Sequence, residues 1–360
     1  MEVERDKLVD IMKGIGICFV IMGHVLTYKS TLSRCVFSFH MPLFFFLSGY
    51  LARKKSSLFK WRSYWQSLSK YLVLYLFFTL LGLIRFALDK NIPTDTIRVA
   101  IYRTFIHCHS FVNGPTWFLV TLPLSLFLPY CFSRVKNGGL RYVLIASTLC
   151  TMALLSLLIQ RLPWELRRLW IPLNVTNLPL VSFYALCGWQ WGSNMMHLPI
   201  RLSIVSNFII VCTLSSFIFA LSRQNMIGMM NCSVAEAGSI LNFPIALLGI
   251  QGVCCVAHLW GETLVGRHLQ VIGMRSLAFF TCDFISLTIV SIVLSFAMPV
   301  FSGYTPTQPI SLPLSFLLWF SQMCVLMTLS PIIMKVTTSF MNCIPFLDKL
   351  SAGRPTVSDI

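Results

Sequence analysis

The stretch LVDIMKGIGICFVIMGHVLTY, Leu8 to Tyr28, reads as a membrane-crossing helix, and much of the remaining chain repeats its character. A helix needs about 17 to 25 apolar residues to cross a bilayer, and this run has them without a proline. No small-x-small cleavage site follows before Lys29, so the segment is expected to stay in place as a helix rather than be removed as a leader. Similar runs recur at roughly 35–52, 69–88, 116–133, 140–160, 172–192, 202–222, 240–261, 273–298 and 310–334. The expectation is an all-α polytopic membrane protein with about ten transmembrane helices, one membrane domain over 1–360 and a cytoplasmic tail from 335 to 360. Composition agrees: 56% of the residues are hydrophobic and 11% charged, against about 25% charged in a soluble domain.

A formal charge of +16 raises the question of partners. The cations lie between apolar spans rather than along one stripe, which favours anionic lipid headgroups and argues against nucleic acid. With the N-terminus inside, 17 Lys and Arg fall on the cytoplasmic side and 10 outside, so both termini are expected to be cytoplasmic. The inner linker from Arg53 to Lys70 interleaves cations with Trp61, Tyr64 and Trp65 and is expected to lie along the headgroup layer. Outside, Pro93 to Pro115 sets Ile97, Ile101, Thr104 and Phe105 at helical spacing behind Asp95, as in a short interfacial helix. Thirteen cysteines show neither a CxxC pair nor metal-ligand spacing, so buried free thiols, no metal and no bound cofactor are expected.

Asp10, Lys13 and His24 share the first span, and ionisable groups inside a bilayer need partners or a wet cavity. Eleven positions separate Lys13 from His24, three turns plus about 20° and roughly 16 Å of rise, so both point the same way. Asp10 precedes Lys13 by three residues and is placed to pair with it. Gly14, Gly16 and Gly23 leave the helix thinly covered, open to close approach by another helix or a ligand. A structural account remains beside the functional one: Lys13 can snorkel to the inner headgroups, and His24 can be a hydrogen-bonded interior histidine.

RDKLVDIMKGIGICFVIMGH, Arg5 to His24, followed by FSFHMPLFFFLSGYL, Phe37 to Leu51, resembles the opening of the acyltransferase 3 family of membrane-bound O-acyltransferases. GPTWFL, Gly114 to Leu119, and IGMRSLAFF, Ile272 to Phe280, resemble later family segments, in the expected order. The closest flavour is the fucose 4-O-acetylase-like branch. The resemblance implies a ten-helix core in the plasma (inner) membrane, acyl-CoA as co-substrate, and a cell-surface glycan or lipid-linked saccharide as acceptor. It implies catalysis by His24 and a donor-holding role for Lys13, with Asp10 beside it and lysine standing where many members have arginine. His40, in His-Met-Pro, and Trp117 become acceptor or supporting residues, and Asp283 stands where related sequences often have histidine.

In that chemistry His24 is the base for a sugar hydroxyl, or forms an acyl-histidine. His40 orients His24 or meets the acceptor, Trp117 stacks on a sugar or belongs to the aromatic belt, and Asp283 has a depth compatible with pairing to Lys13. Transport along Asp10, Lys13, Asp283 and His24, or a catalytically degenerate member of the fold, are the competing readings. The charge bias makes the topology testable: a reporter fused after Lys335 should report inside and one near Tyr304 outside. An external signal at the C-terminus would exclude an even number of spans with the N-terminus inside.

Overall fold

Asp6 starts the first helix by accepting from the Val9 N–H at 3.4 Å, and α1 (Lys7–Val25) runs to the extended residue Leu26. The next span is broken. α2 (Thr31–Phe37) ends before Ser38 and Phe39, and α3 (His40–Lys54) restarts at His40. Pro42 accounts for the break, because its ring crowds the carbonyl four residues back, that of Ser38, and it has no N–H to donate there. This computed structural model describes residues 6–54, 61–88, 98–99, 101–102, 116–163, 177–227, 230–231, 234–235, 240–301 and 310–342.

The remaining helices are α4 (Trp61–Leu88), α5 (Trp117–Ser125), α6 (Phe127–Ser133), α7 (Gly138–Arg161), α8 (Leu178–Arg201), α9 (Ile204–Arg223), α10 (Asn242–Trp260), α11 (Leu264–Met274), α12 (Ser276–Ser295) and α13 (Leu312–Asn342). A two-residue antiparallel pair, Met230–Asn231 with Val234–Ala235, is the extent of strand among the described residues. The protein is an all-α polytopic membrane protein. Each expected span falls largely on helix where its residues are described, and among the described residues seven helical segments are both long and apolar enough to cross a bilayer. The last helix continues to Asn342, into the segment expected to be tail; 343–360 lie outside the described residues.

The chain divides into two compact units, Met1–Phe44 with Trp191–Lys335, and Phe45–Gln190 with Val336–Ile360. In the first, α1 touches α2, α10, α11 and α12, and the apolar window of α1 is 67% buried. By contrast α9 is 11% buried and presents Ile204, Val205, Phe208 and Ile209 outward, as a lipid-facing helix must. In the second unit α7 has the same character, with its apolar window 17% buried. There, α3 and α8 meet through Gly49, against the Ala185 carbonyl, and Gly188, against the Phe46 carbonyl. Trp61, Tyr64 and Tyr130 stack between α4 and α6 and Trp65 is exposed; from Trp61 on, the expected linker is part of the one helix α4. Of the expected outer helix, Arg98, Val99, Ile101 and Tyr102 are helical and exposed, and the rest lies outside the described residues.

The expected uniform burial of thiols is corrected: the ten described cysteines are free, but Cys131, Cys150, Cys212 and Cys324 are exposed on their helices. An apolar, unionised thiol is as well solvated by lipid as by protein.

α11 was not legible as an element, since it is too short to span and carries Arg267. It lies across α1 at backbone contact. A Cβ on Gly273 would stand 1.7 Å from the Asp10 carbonyl oxygen, and one on Gly14 2.0 Å from that of Leu269. Lys7 also pairs with Glu262 at 2.9 Å just before α11, although both side chains are exposed, so the pair adds little stability. Gly273→Ala should therefore separate α1 from α11 and cost about 1–3 kcal/mol, lowering the melting temperature of the detergent-purified protein. Gly252→Ala, whose Cβ would meet its nearest neighbour, Leu214 Cδ1, at 3.8 Å, should melt as wild type does. Equal melting of the two variants would refute the close crossing.

Candidate active site

Three helices of the first unit bring polar side chains together in an otherwise apolar interior. His24, one residue from the end of α1, meets Asp283 of α12: imidazole Nδ1 bonds the carboxylate Oδ2. Gln322 of α13 donates from Nε2 to Asp283 Oδ1 at 2.7 Å, to the Asp283 carbonyl at 2.9 Å and to Ser286 Oγ at 3.1 Å. Ser286 in turn donates to the Asp283 carbonyl at 2.7 Å. With three acceptors around one nitrogen, the amide orientation of Gln322 is fixed, since a flipped oxygen would face the carboxylate. Its Oε1 is buried and has no hydrogen-bond partner among the described residues.

An ionised carboxylate can only accept, so with Asp283 in that form Nδ1 of His24 is the donor. In the neutral imidazole this leaves the lone pair on Nε2. The His24 side chain is 22% exposed and that of Asp283 1%, so the carboxylate is enclosed while the imidazole keeps an open edge. Val25, Leu287, Val290, Phe301 and Leu318 form an apolar cluster beside the site, each of the first, second and last lying next to or one turn from a site residue. Trp319 Nε1 donates to the Cys18 carbonyl at 3.0 Å and ties α13 to α1. Such a site can hold an imidazole in one tautomer and one orientation.

Residues 6–341 match the acyltransferase domain of the acyltransferase 3 family. The chain belongs to that family. No curated protein and no solved structure matches it.

In this acyltransferase Asp283 sits with His24, at the far end of α1 from Lys13, and that corrects the expected pairing with Lys13. The depth estimate assumed parallel spans starting level; the insertion of α11 before α12 changes that offset. Asp10 is buried in the first turn of α1 beneath α11, and Lys13 is half-buried one turn on. His40 is buried and donates from Nδ1 to the Val36 carbonyl at 2.8 Å, closing its own broken helix. It does not orient His24 by a direct bond: the Phe37 ring lies 4.8 Å from the His40 ring and 6.4 Å from that of His24. Trp117 belongs to the second unit, where it is buried beside Phe45 and Phe118. His107, His109 and Lys55 lie outside the described residues. Among the described residues no three His, Cys, Asp or Glu side chains group to hold a metal ion.

Gln322 and Ser286 were missed. A glutamine within an apolar span was the available signal for the first, because a buried amide in lipid needs partners. Gln322→Leu should leave Asp283 Oδ1 short of a donor and cost about 1–3 kcal/mol, seen as a lower melting temperature. An unchanged melting temperature would show that Asp283 is held without it.

Proposed function

We propose that this acyltransferase transfers an acyl group, acetyl in the first instance, from acyl-CoA to a hydroxyl of an extracytoplasmic glycan or lipid-linked saccharide, with His24 as general base. The observation that carries this reading is the His24 Nδ1 contact with the buried Asp283 carboxylate. Asp283 then fixes the tautomer, and Nε2 takes the proton of the acceptor hydroxyl as its oxygen attacks the thioester carbonyl. Collapse of the tetrahedral intermediate breaks the carbon–sulfur bond, and the leaving thiolate recovers the proton from Nε2. An acyl-histidine would form on the same nitrogen.

The protein would sit in the plasma membrane with both termini cytoplasmic, so that donor enters from inside and acceptor meets the outer end of α1. Lys13, on the inward side of His24 along the same helix, is assigned to the anionic part of the donor. Its Lys→Arg change keeps the charge and should keep donor binding, whereas Lys13→Met should weaken it. His40 and Trp117 are assigned to the acceptor side.

The direct test is transfer of radiolabelled acetyl from acetyl-CoA to glycan in membranes that lack the wild-type copy. His24→Ala and His24→Gln should each lower the rate by about 10² to 10⁴-fold while insertion persists. Asp283→Asn should also lower it, because an amide that presents its NH₂ to Nδ1 favours the opposite tautomer and removes the Nε2 lone pair. Activity of His24→Gln within about twofold of wild type would remove His24 from the acid–base role, since glutamine cannot take a proton near neutral pH.

A further inference from the structure

Arg53, next to last in α3, and Arg141, in the first turn of α7, flank one ring in the second unit. Their guanidinium carbons lie 4.6 Å and 5.8 Å from the centroid of buried Trp189. One arginine on a tryptophan is a common packing device. Two are harder to explain, since like charges that share one low-dielectric surface repel. Arg53 Nη1 and Arg141 Nε are both buried, and neither has a hydrogen-bond partner among the described residues. Nor does the described part of this unit contain a single Asp or Glu that would offset them.

The local backbone adds to the deficit of acceptors. Asn137 caps α7 by accepting from the Leu140 N–H at 3.0 Å, and the Arg141 N–H returns to the Asn137 carbonyl. Gly138 and Gly139 open this 24-residue helix, where first-turn N–H groups have no carbonyl within the helix to bond and the dipole is positive. Both glycines are exposed; a Cβ on Gly138 would meet nothing within 4 Å, and one on Gly139 only its own cap at 3.6 Å. Arg141 belongs to this same open turn, and its guanidinium reaches Trp189. Lys136 lies just before it, exposed.

We infer that Arg53, Arg141 and the Gly138–Gly139 turn form a phosphate-binding site, with Trp189 as the platform that holds the two guanidinium groups apart. The ligand is a phosphate or pyrophosphate group, carried either by a nucleotide-containing molecule or by a lipid headgroup. The site stands independently of the role of His24. Arginine supplies planar paired donors and the helix start supplies backbone donors, the combination that recurs where phosphate is bound. Arg141 was counted in the sequence only among the topology-setting cations; the doubling on one ring is visible only in three dimensions.

The test uses the full chain in nanodiscs made of phosphatidylcholine alone. Pyrophosphate and CoA are titrated, and binding is read by thermal shift and calorimetry; a parallel set of discs contains phosphatidylglycerol. For a nucleotide-borne phosphate, CoA and pyrophosphate should stabilise the wild type, and Arg141→Gln should weaken both roughly tenfold or more. For a lipid headgroup, phosphatidylglycerol should raise the wild-type melting temperature and not that of Arg141→Gln. Gly138→Glu serves where Arg141→Gln folds poorly: it leaves the stack on Trp189 intact, has room, and should weaken the same ligand by placing a carboxylate in the turn. A wild type that responds to none of the three probes, or variants that respond to each of them as the wild type does, would overturn the site.

Discussion

The polar interior of the first unit is arranged around the buried carboxylate of Asp283. An isolated charge in hydrocarbon costs several kcal/mol, and Asp283 is enclosed, so the fold must bring donors to it. It draws them from the C-terminal end of α1 through His24 and from α13 through Gln322. Replacing either donor with an apolar residue would leave the charge uncompensated, which is why breaking a buried pair costs far more than the pair itself contributes. The same low dielectric that makes the contact obligatory makes it directional, and direction is what an acid–base group requires.

Holding α1 in register is a second constraint, and glycine meets it. Gly14 and Gly273 allow α1 and α11 to cross at backbone contact, while Gly16 and Gly23 receive the rings of Phe44 and Phe37. In lipid there is no hydrophobic drive between helices, so close approach and dispersion do the joining. Phe37 in turn stands beside both His24 and His40, so the ring that fills the hollow at Gly23 also separates the two histidines. Packing and site geometry are here one set of contacts.

The helices were legible because apolar length is a strong signal in a chain this poor in charge. His24 was legible because a titratable group in such a span demands a reason, and Gly14 and Gly23 marked the covered faces of its helix. The partner of His24 was not. Asp283 and Gln322 lie 259 and 298 positions away, and helical periodicity says nothing about which span neighbours which. α11 was hidden by its length, and its presence shifts α12 along α1, so that a depth estimate from span starts paired Asp283 with the wrong end of the helix. The break before His40 was half visible: Pro42 announced a disturbance, but where it would fall depends on which carbonyl its ring crowds.

The arrangement also bears on whether these ionisable groups form a transport path. A proton or ion path needs groups spaced so that cargo can be handed on, each accessible in turn. Asp283 has no open side of that kind: its carboxylate is occupied by His24 and Gln322, and its surroundings include Val25, Leu287 and Leu318. Lys13 stands about 16 Å along α1 from His24, a gap that the buried apolar residues Ile15, Ile17, Val20 and Ile21 do nothing to bridge. His24 keeps an exposed edge, and Asp283 lies behind it. A partly exposed imidazole backed by a closed carboxylate suits a group that takes a proton from a bound molecule and returns it to the same place, which fits acyl transfer better than conduction.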